Sequence, residues 1–342
     1  MGVCVLLGWY KAYYKYMILI IISINQVCKV CMKKSMLALA LVTGLSGCST
    51  TNVLPDNSSS LYFSALYNAQ AKPVSSVLLE PTLLNADVIL VGEWHTHPGV
   101  HLFQAKLFEQ LSKSNKRTAL SLEQFSRADQ PIINQYVKGE IGEQYLIDNT
   151  QAWPNYKSDY RALIELAKTN NSDVIAANAP KNIVTCIGRQ GISYVNKLDE
   201  TQQSFIASTI DTSPGDYKQR FMASMHHGSP SQNENYYAAQ VTWDETMGES
   251  IVNYLNNHQD AQVMHIAGDF HVKNGEGIAR VIKRLAPELN VVWISPVTSV
   301  QANQTGYQLQ VNALPPRYVQ KQHQQAAFKA LAKRGKKTQC QQ

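Results

Sequence analysis

Val88-Ile89-Leu90-Val91-Gly92-Glu93-Trp94-His95-Thr96-His97 is an apolar run that stops abruptly at a glycine, an acid and two histidines. Four aliphatic residues in succession read as a strand buried on both faces, which places it inside a sheet covered on both sides. Val263-Met264-His265-Ile266-Ala267-Gly268-Asp269-Phe270-His271 repeats the idea much later in the chain. Both runs close in glycine, acid, aromatic residue, histidine. Ligands of an open α/β sheet bind beyond the carboxyl ends of its strands. Two ends carrying the same Gly-x-x-His pattern therefore predict one shared site.

Outward from these runs, strand and helix signals alternate. Thr118 to Leu122 reads as a strand ending at Glu123, Val174 to Ala177 as one ending at Asn178, and Val291 to Ile294 as one closed by Ser295-Pro296. Pro98 opens a helix with Val100, Phe103, Leu107 and Leu111 on one face. Tyr160, Leu163, Ile164 and Ala167 keep helical spacing, as do Ile278, Val281, Ile282 and Leu285. Ala239, Trp243, Met247 and Ile251, four apart, predict an amphipathic helix. Such alternation predicts an α/β fold: a mainly parallel sheet flanked by helices, with a smaller helical subdomain. The domain is expected over 61–310, the helical insertion at about 198–254, and a basic polar tail over 311–342.

The chain has 342 residues, 44% hydrophobic and 16% charged, the balance of a globular protein. Its formal net charge of +6 is partly local, since Lys329, Lys333, Arg334, Lys336 and Lys337 crowd the tail. Such a tail reads as a solvated end, with binding of anionic lipid as the functional alternative. No arginine- and aromatic-rich pattern argues for a nucleic-acid partner.

Met32-Lys33-Lys34, the short apolar stretch after them and Leu45-Ser46-Gly47-Cys48 have the order of a secretory signal that ends in a bacterial lipobox. Residues 32–47 are then the signal peptide, Cys48 the lipidated residue and 48–60 a polar tether. Residues 1–31 read as a mis-assigned upstream start; a longer signal region is the alternative. Ser49 after the cysteine, by resemblance to Gram-negative lipoproteins, implies the outer membrane, on its periplasmic side. Cys28-x-x-Cys31 precedes the mature chain and is discounted as a metal or redox site. Cys186 and Cys340 remain in the mature chain. An oxidising periplasm permits a bridge between them, but Cys340 lies so late in a polar tail that they are expected to stay apart.

The strand ends carry the chemistry. Glu93, His95, His97 and His101 belong to the first, Asp269 and His271 to the second, and Glu123 closes a neighbouring strand. His95, His271 and Glu123 are a usual ligand set for a divalent metal with an open position. Without metal, Glu93, His95, Glu123 and His271 could serve as general base and orienting partners of a hydrolase. The plainer alternative is that these groups bond one another and cap helices.

Gly92-Glu93-Trp94-His95, Leu122-Glu123-Gln124-Phe125 and Ile266-Ala267-Gly268-Asp269-Phe270-His271-Val272 resemble the ChaN family of haem-binding lipoproteins, within a superfamily that holds Tiki, TraB and the erythromycin esterases. The likeness runs from about Asp87 to Pro296 and takes in Trp153-Pro154-x-Tyr156 and Met225-His226-His227-Gly228. It implies haem as cofactor and cargo in iron uptake, a homodimer enclosing a cofacial haem pair, iron held by tyrosine, and an outer-membrane haem receptor as partner. Carried over by motif, Tyr156, Tyr160, His226 and His227 are the candidate haem residues. Tyrosine and histidine are both workable axial ligands. Tiki and the esterases imply instead a hydrolase that uses the paired Gly-x-x-His ends.

Overall fold

A computed structural model describes residues 60–341 other than 77, 115, 226, 227, 336 and 337. Residues 1–59, with the expected signal, Cys48 and nearly all of the tether, lie outside it, as do His226 and His227. The strands are β1 (Ser64–Tyr67), β2 (Pro73–Val74), β3 (Val88–Glu93), β4 (Arg117–Ser126), β5 (Val174–Asn178), β6 (Ala261–Gly268), β7 (Val291–Val297) and β8 (Tyr307–Val311). They form one sheet in the order β2-β1-β8-β7-β3-β6-β4-β5. Every pair from β8 to β5 is parallel, and β1 and β2 add an antiparallel edge. This is the expected α/β fold.

β3 is central because its side chains alternate between two cores. Ile89 and Val91 join the face covered by α1 (Pro98–Ser112) and α2 (Arg161–Thr169). Val88 and Leu90 join the face covered by α5 (Pro230–Asn257) and α6 (Ile278–Leu285). A period of two on an unbroken aliphatic run fills both sides, and each fully buried aliphatic contributes about 1.5–3 kcal/mol. β6 lies beside β3 with Glu93 level with Gly268, so the two Gly-x-x-His ends are neighbours.

Helix α5 departs from its expected amphipathic form. Its Met247 and Ile251 face the sheet, yet Thr242, Asp244, Glu245 and Thr246 are as deeply buried. The remaining sides are covered by α3 (Lys181–Gln190), α4 (Asp216–Ser224) and α6. A Cβ on Gly248 would lie 2.6 Å from Val281 Cγ1, so α5 and α6 meet at a contact only glycine permits. Glu245 is held there by Arg284 and, at 3.2 Å, by Arg280.

The tail is tied down rather than free. Residues 321–335 form α7 (Lys321–Gly335), and the chain then returns to α3, where Cys340 is disulfide-bonded to Cys186. Arg189 Nη1 donates to the Thr338 carbonyl at 2.6 Å, and Gln190 Nε2 to that of Gln341 at 3.1 Å. The expected separation of the two cysteines is thus overturned: sequence distance counts for nothing once a helix brings the chain back. Among the described residues, no helix is long and apolar enough to cross a membrane.

Candidate functional site

β3 delivers Glu93 into the interior, 2% exposed, and the chain turns sharply after it with Thr96 at φ 70°. A β-branched residue in the left-handed region is strained, and such strain persists only where the surroundings enforce it. The turn returns His95 to its own strand end: His95 Nδ1 donates to Glu93 Oε1 at 2.7 Å. Tyr160 Oη donates to the same oxygen at 2.6 Å, with Gln124 Nε2 at 3.3 Å. Gln104 Nε2 donates to Oε2 at 3.1 Å. Burial pushes the Glu93 carboxyl up, but His95, His101 and Tyr160 together hold it below its ordinary range. The bond to Glu93 raises His95 against the opposing effect of burial. Trp153, from the Trp-Pro motif, stands edge-on to both His95 and Tyr160.

His97 and His101, four apart, do not share a site. His97 caps α1: its Nδ1 accepts from the amides of Gly99 and Val100 at 3.2 and 3.3 Å, so its Nε2 carries the hydrogen given to the Asn312 carbonyl at 2.7 Å. His101 turns inward, with Nδ1 2.9 Å from Gln104 Oε1 and Nε2 3.5 Å from Asp159 Oδ2.

The second strand end has its own acid–imidazole pair. His271 Nδ1 lies 2.8 Å from Asp244 Oδ1, and Tyr217 Oη donates to Asp244 Oδ2 at 2.6 Å. Gln240 Nε2 donates to Tyr217 Oη at 3.0 Å. Burial alone would drive His271 down, but Asp244, with a lesser pull from Glu123, raises it to about 9, so the ring is an imidazolium at neutral pH. Sequence reasoning missed Asp244, Tyr217, Gln240 and Gln104. The one available signal for Asp244 was an acid directly beside Trp243 on the apolar stripe of α5.

The two pairs meet at Gly268. Its amide donates to Glu123 Oε2 at 2.6 Å, and a Cβ on it would lie 3.1 Å from His95 Nε2 and 3.7 Å from that Glu123 oxygen. Glycine here keeps open the space between His95 and Glu123. Glu123 Oε1 stands 3.8 Å from His271 Nε2. Glu93, His95, Glu123 and His271 therefore lie close together, although the acid that pairs with His271 is Asp244 rather than the adjacent Asp269. The expected metal set is not arranged as a cage. Among the described residues, no three His, Cys, Asp or Glu side chains are grouped to hold a metal ion, because these groups are aimed at one another. The arrangement suits proton transfer: a half-exposed neutral or charged imidazole at His95, a buried imidazolium at His271 and a carboxylate between them.

Tyr156 and Tyr160 occupy a single π-helical turn at the head of α2, and both are buried. Tyr160 is committed to Glu93, and burial with that carboxylate pushes its phenol far above the ordinary range. Tyr156 packs edge-on against Phe125, its phenol likewise raised by burial and by Glu143 and Glu165. Neither hydroxyl faces a surface where a large ligand could reach it. A recess of about 820 Å³ lies elsewhere, between α3, α4 and α5. Its lining includes Val184, Phe221, Met225, Ala239, Trp243 and Tyr236, together with Lys181 and Arg189. Tyr236 is 43% exposed. Gln240 lines the recess and touches His271, so it borders the strand-end site.

A parallel α/β sheet whose strand ends hold a buried cluster of acids and imidazoles defines the class. The chain belongs to the family described as haem-binding uptake, Tiki superfamily, ChaN, whose model matches residues 80–282. No curated protein matches the sequence. Among solved structures, the chain is similar to ChaN of Campylobacter jejuni, described as binding haem cofacially: 18% identity, TM-score 0.56, covering 73% of this chain and 97% of that one. It is less similar to an erythromycin esterase in its open conformation: 11% identity, TM-score 0.40, covering 77% and 86%.

Proposed function

We propose that this protein binds haem for uptake, in the recess between α3, α4 and α5. The observation that carries the reading is the fit of that recess. Its volume of about 820 Å³ lies within the range of small-molecule sites, and its lining is mainly apolar and aromatic, with Lys181, Arg189 and Gln240 among it. An apolar wall suits the macrocycle, and Lys181 and Arg189 suit two carboxylates. Tyr236 offers a phenol oxygen, a workable iron ligand. Met225 lines the same recess, and His226 and His227 follow it in the sequence. Bound iron would supply the electrophilic centre, while the chain binds, orients and shields the ring. The same proposal includes a homodimer closing over the haem, anchorage through lipidated Cys48 to the outer membrane facing the periplasm, and delivery from an outer-membrane receptor.

Titration of the chain from Asn57 onward with haemin tests the reading. The expected result is a saturable Soret shift that Tyr236→Phe moves in wavelength and weakens. No shift at stoichiometric haemin would sink it, and an unaltered spectrum in the variant would remove Tyr236. A second reading, a hydrolase, is favoured by one observation: two acid–imidazole pairs and Glu123 converge at Gly268. There His95, held by Glu93, is the general base, and His271 the general acid. Unchanged turnover of ester, lactone and peptide substrates in His95→Ala and His271→Ala would discard it.

A further inference from the structure

Residues 311–342 contain Arg317, Lys321, Lys329, Lys333, Arg334, Lys336 and Lys337, and no aspartate or glutamate. α7 lies within this segment, and of its residues 321–330 all but the half-buried Ala327 are exposed. A fifteen-residue helix in water is marginal without a face to pack against. Three large apolar side chains of the segment are also bare: Phe328 is 62% exposed, Val319 89% and Tyr318 47%. Yet the segment is not a loose end. The disulfide pins Cys340 to α3, and at the other end Asn312 Nδ2 donates to the Ser60 carbonyl at 2.9 Å. His97 Nε2 holds the Asn312 carbonyl at 2.7 Å. The basic segment therefore leaves the body at Ser60, where the chain running from Cys48 arrives.

We propose that α7 is a second membrane contact, which lies on an anionic lipid surface with its lysines among the headgroups and Phe328 in the acyl boundary. Charge complementarity selects the occupant: uninterrupted positive charge with a few bare apolar side chains matches an anionic interface. Each Lys or Arg near such a surface strengthens binding by about fivefold. A single lipid chain gives only reversible anchorage, and a basic patch supplies the second signal. Position supports the same occupant. The twelve chain steps from Cys48 to Ser60 reach about 40 Å when extended, and the nine from Asn312 to Lys321 about 30 Å. A lipid at Cys48 thus keeps α7 within reach of the bilayer that holds it. This geometric part rests on the lipid-anchor reading; the charge and exposure of α7 do not.

The test uses the chain from Asn57 onward, the compact unit that contains every described residue and carries no acyl group. Sedimentation is measured with vesicles of phosphatidylcholine alone and of phosphatidylcholine mixed with phosphatidylglycerol. The expected result is binding to the mixed vesicles only, lost at high salt. Lys321→Gln with Lys329→Gln weakens it by roughly 25-fold, and Phe328→Ser weakens it further at every salt concentration. All three positions are exposed, so unfolding midpoints and the haemin titration stay unchanged. No binding to mixed vesicles overturns the proposal, as does equal binding to both kinds or indifference to the lysine pair. So does a dimer that Phe328→Ser dissolves in the absence of lipid, or preference for duplex DNA over the mixed vesicles.

Discussion

Asp244→Asn isolates the electrostatics of the second acid–imidazole pair. His271 is pulled from an ordinary value near 6.5 to about 9 by Asp244, 2.8 Å away, although burial works against it. Glu123 adds to the pull and Arg220 opposes it. At about 1.4 kcal/mol for each tenfold change in proton affinity, this rise is worth about 3 kcal/mol of stability. The folded value is raised, so the stabilisation is fully present below about pH 6.5 and is lost as pH climbs through 9. Asparagine keeps the shape but removes the charge, and burial then leaves His271 neutral. Urea unfolding of both proteins, with the disulfide intact, gives the difference at each pH, and groups common to both cancel. The wild type should be about 3 kcal/mol more stable at pH 6, beyond any constant packing cost, and that excess should vanish above pH 9. A difference that is flat with pH, or grows on the alkaline side, refutes the ion pair.

In Glu93→Gln, the His95 imidazole should lose its raised affinity for a proton, and proton NMR titration of that ring should follow the fall; an unmoved titration would mean that Glu93 does not hold it. Gly277→Ala would put a Cβ 2.3 Å from the His271 carbonyl and 2.9 Å from Asp244 Oδ1. A backbone neighbour cannot step aside, so thermal unfolding should show a loss of about 1–3 kcal/mol or more. Cys340→Ser removes a cross-link between positions 154 residues apart and should cost about 2–4 kcal/mol. Its melting point should equal that of the wild type under reductant, and a bridge that matters little would leave all these values equal.

The strand interior was legible because a parallel strand covered on both faces needs an unbroken apolar run, and Val88 to Val91 and Val263 to Ala267 are such runs. β1, β2 and β8 were not read. They are short edge strands, and Tyr307-Gln308-Leu309-Gln310-Val311 alternates like any exposed segment. Buried polar residues are the other blind spot. Thr242, Asp244, Glu245 and Thr246 read as the wet side of a helix, and only the packing of α3, α4 and α6 around α5 makes them interior. Tyr156 and Tyr160 show the converse. By motif they are candidate haem residues, while the π-helical turn directs both inward.

For the opening stretch, sequence alone determined the strand, its abrupt end and its kinship with Gly268 to His271, because apolar periodicity and glycine are local properties. Tertiary structure decided what each polar group does. It made His97 a helix cap, His95 the partner of a buried Glu93, and Asp244 the counter-charge of His271. Those roles depend on distances of a few ångströms between residues far apart in the chain, which only the register of β3 against β6 and the course of α5 set.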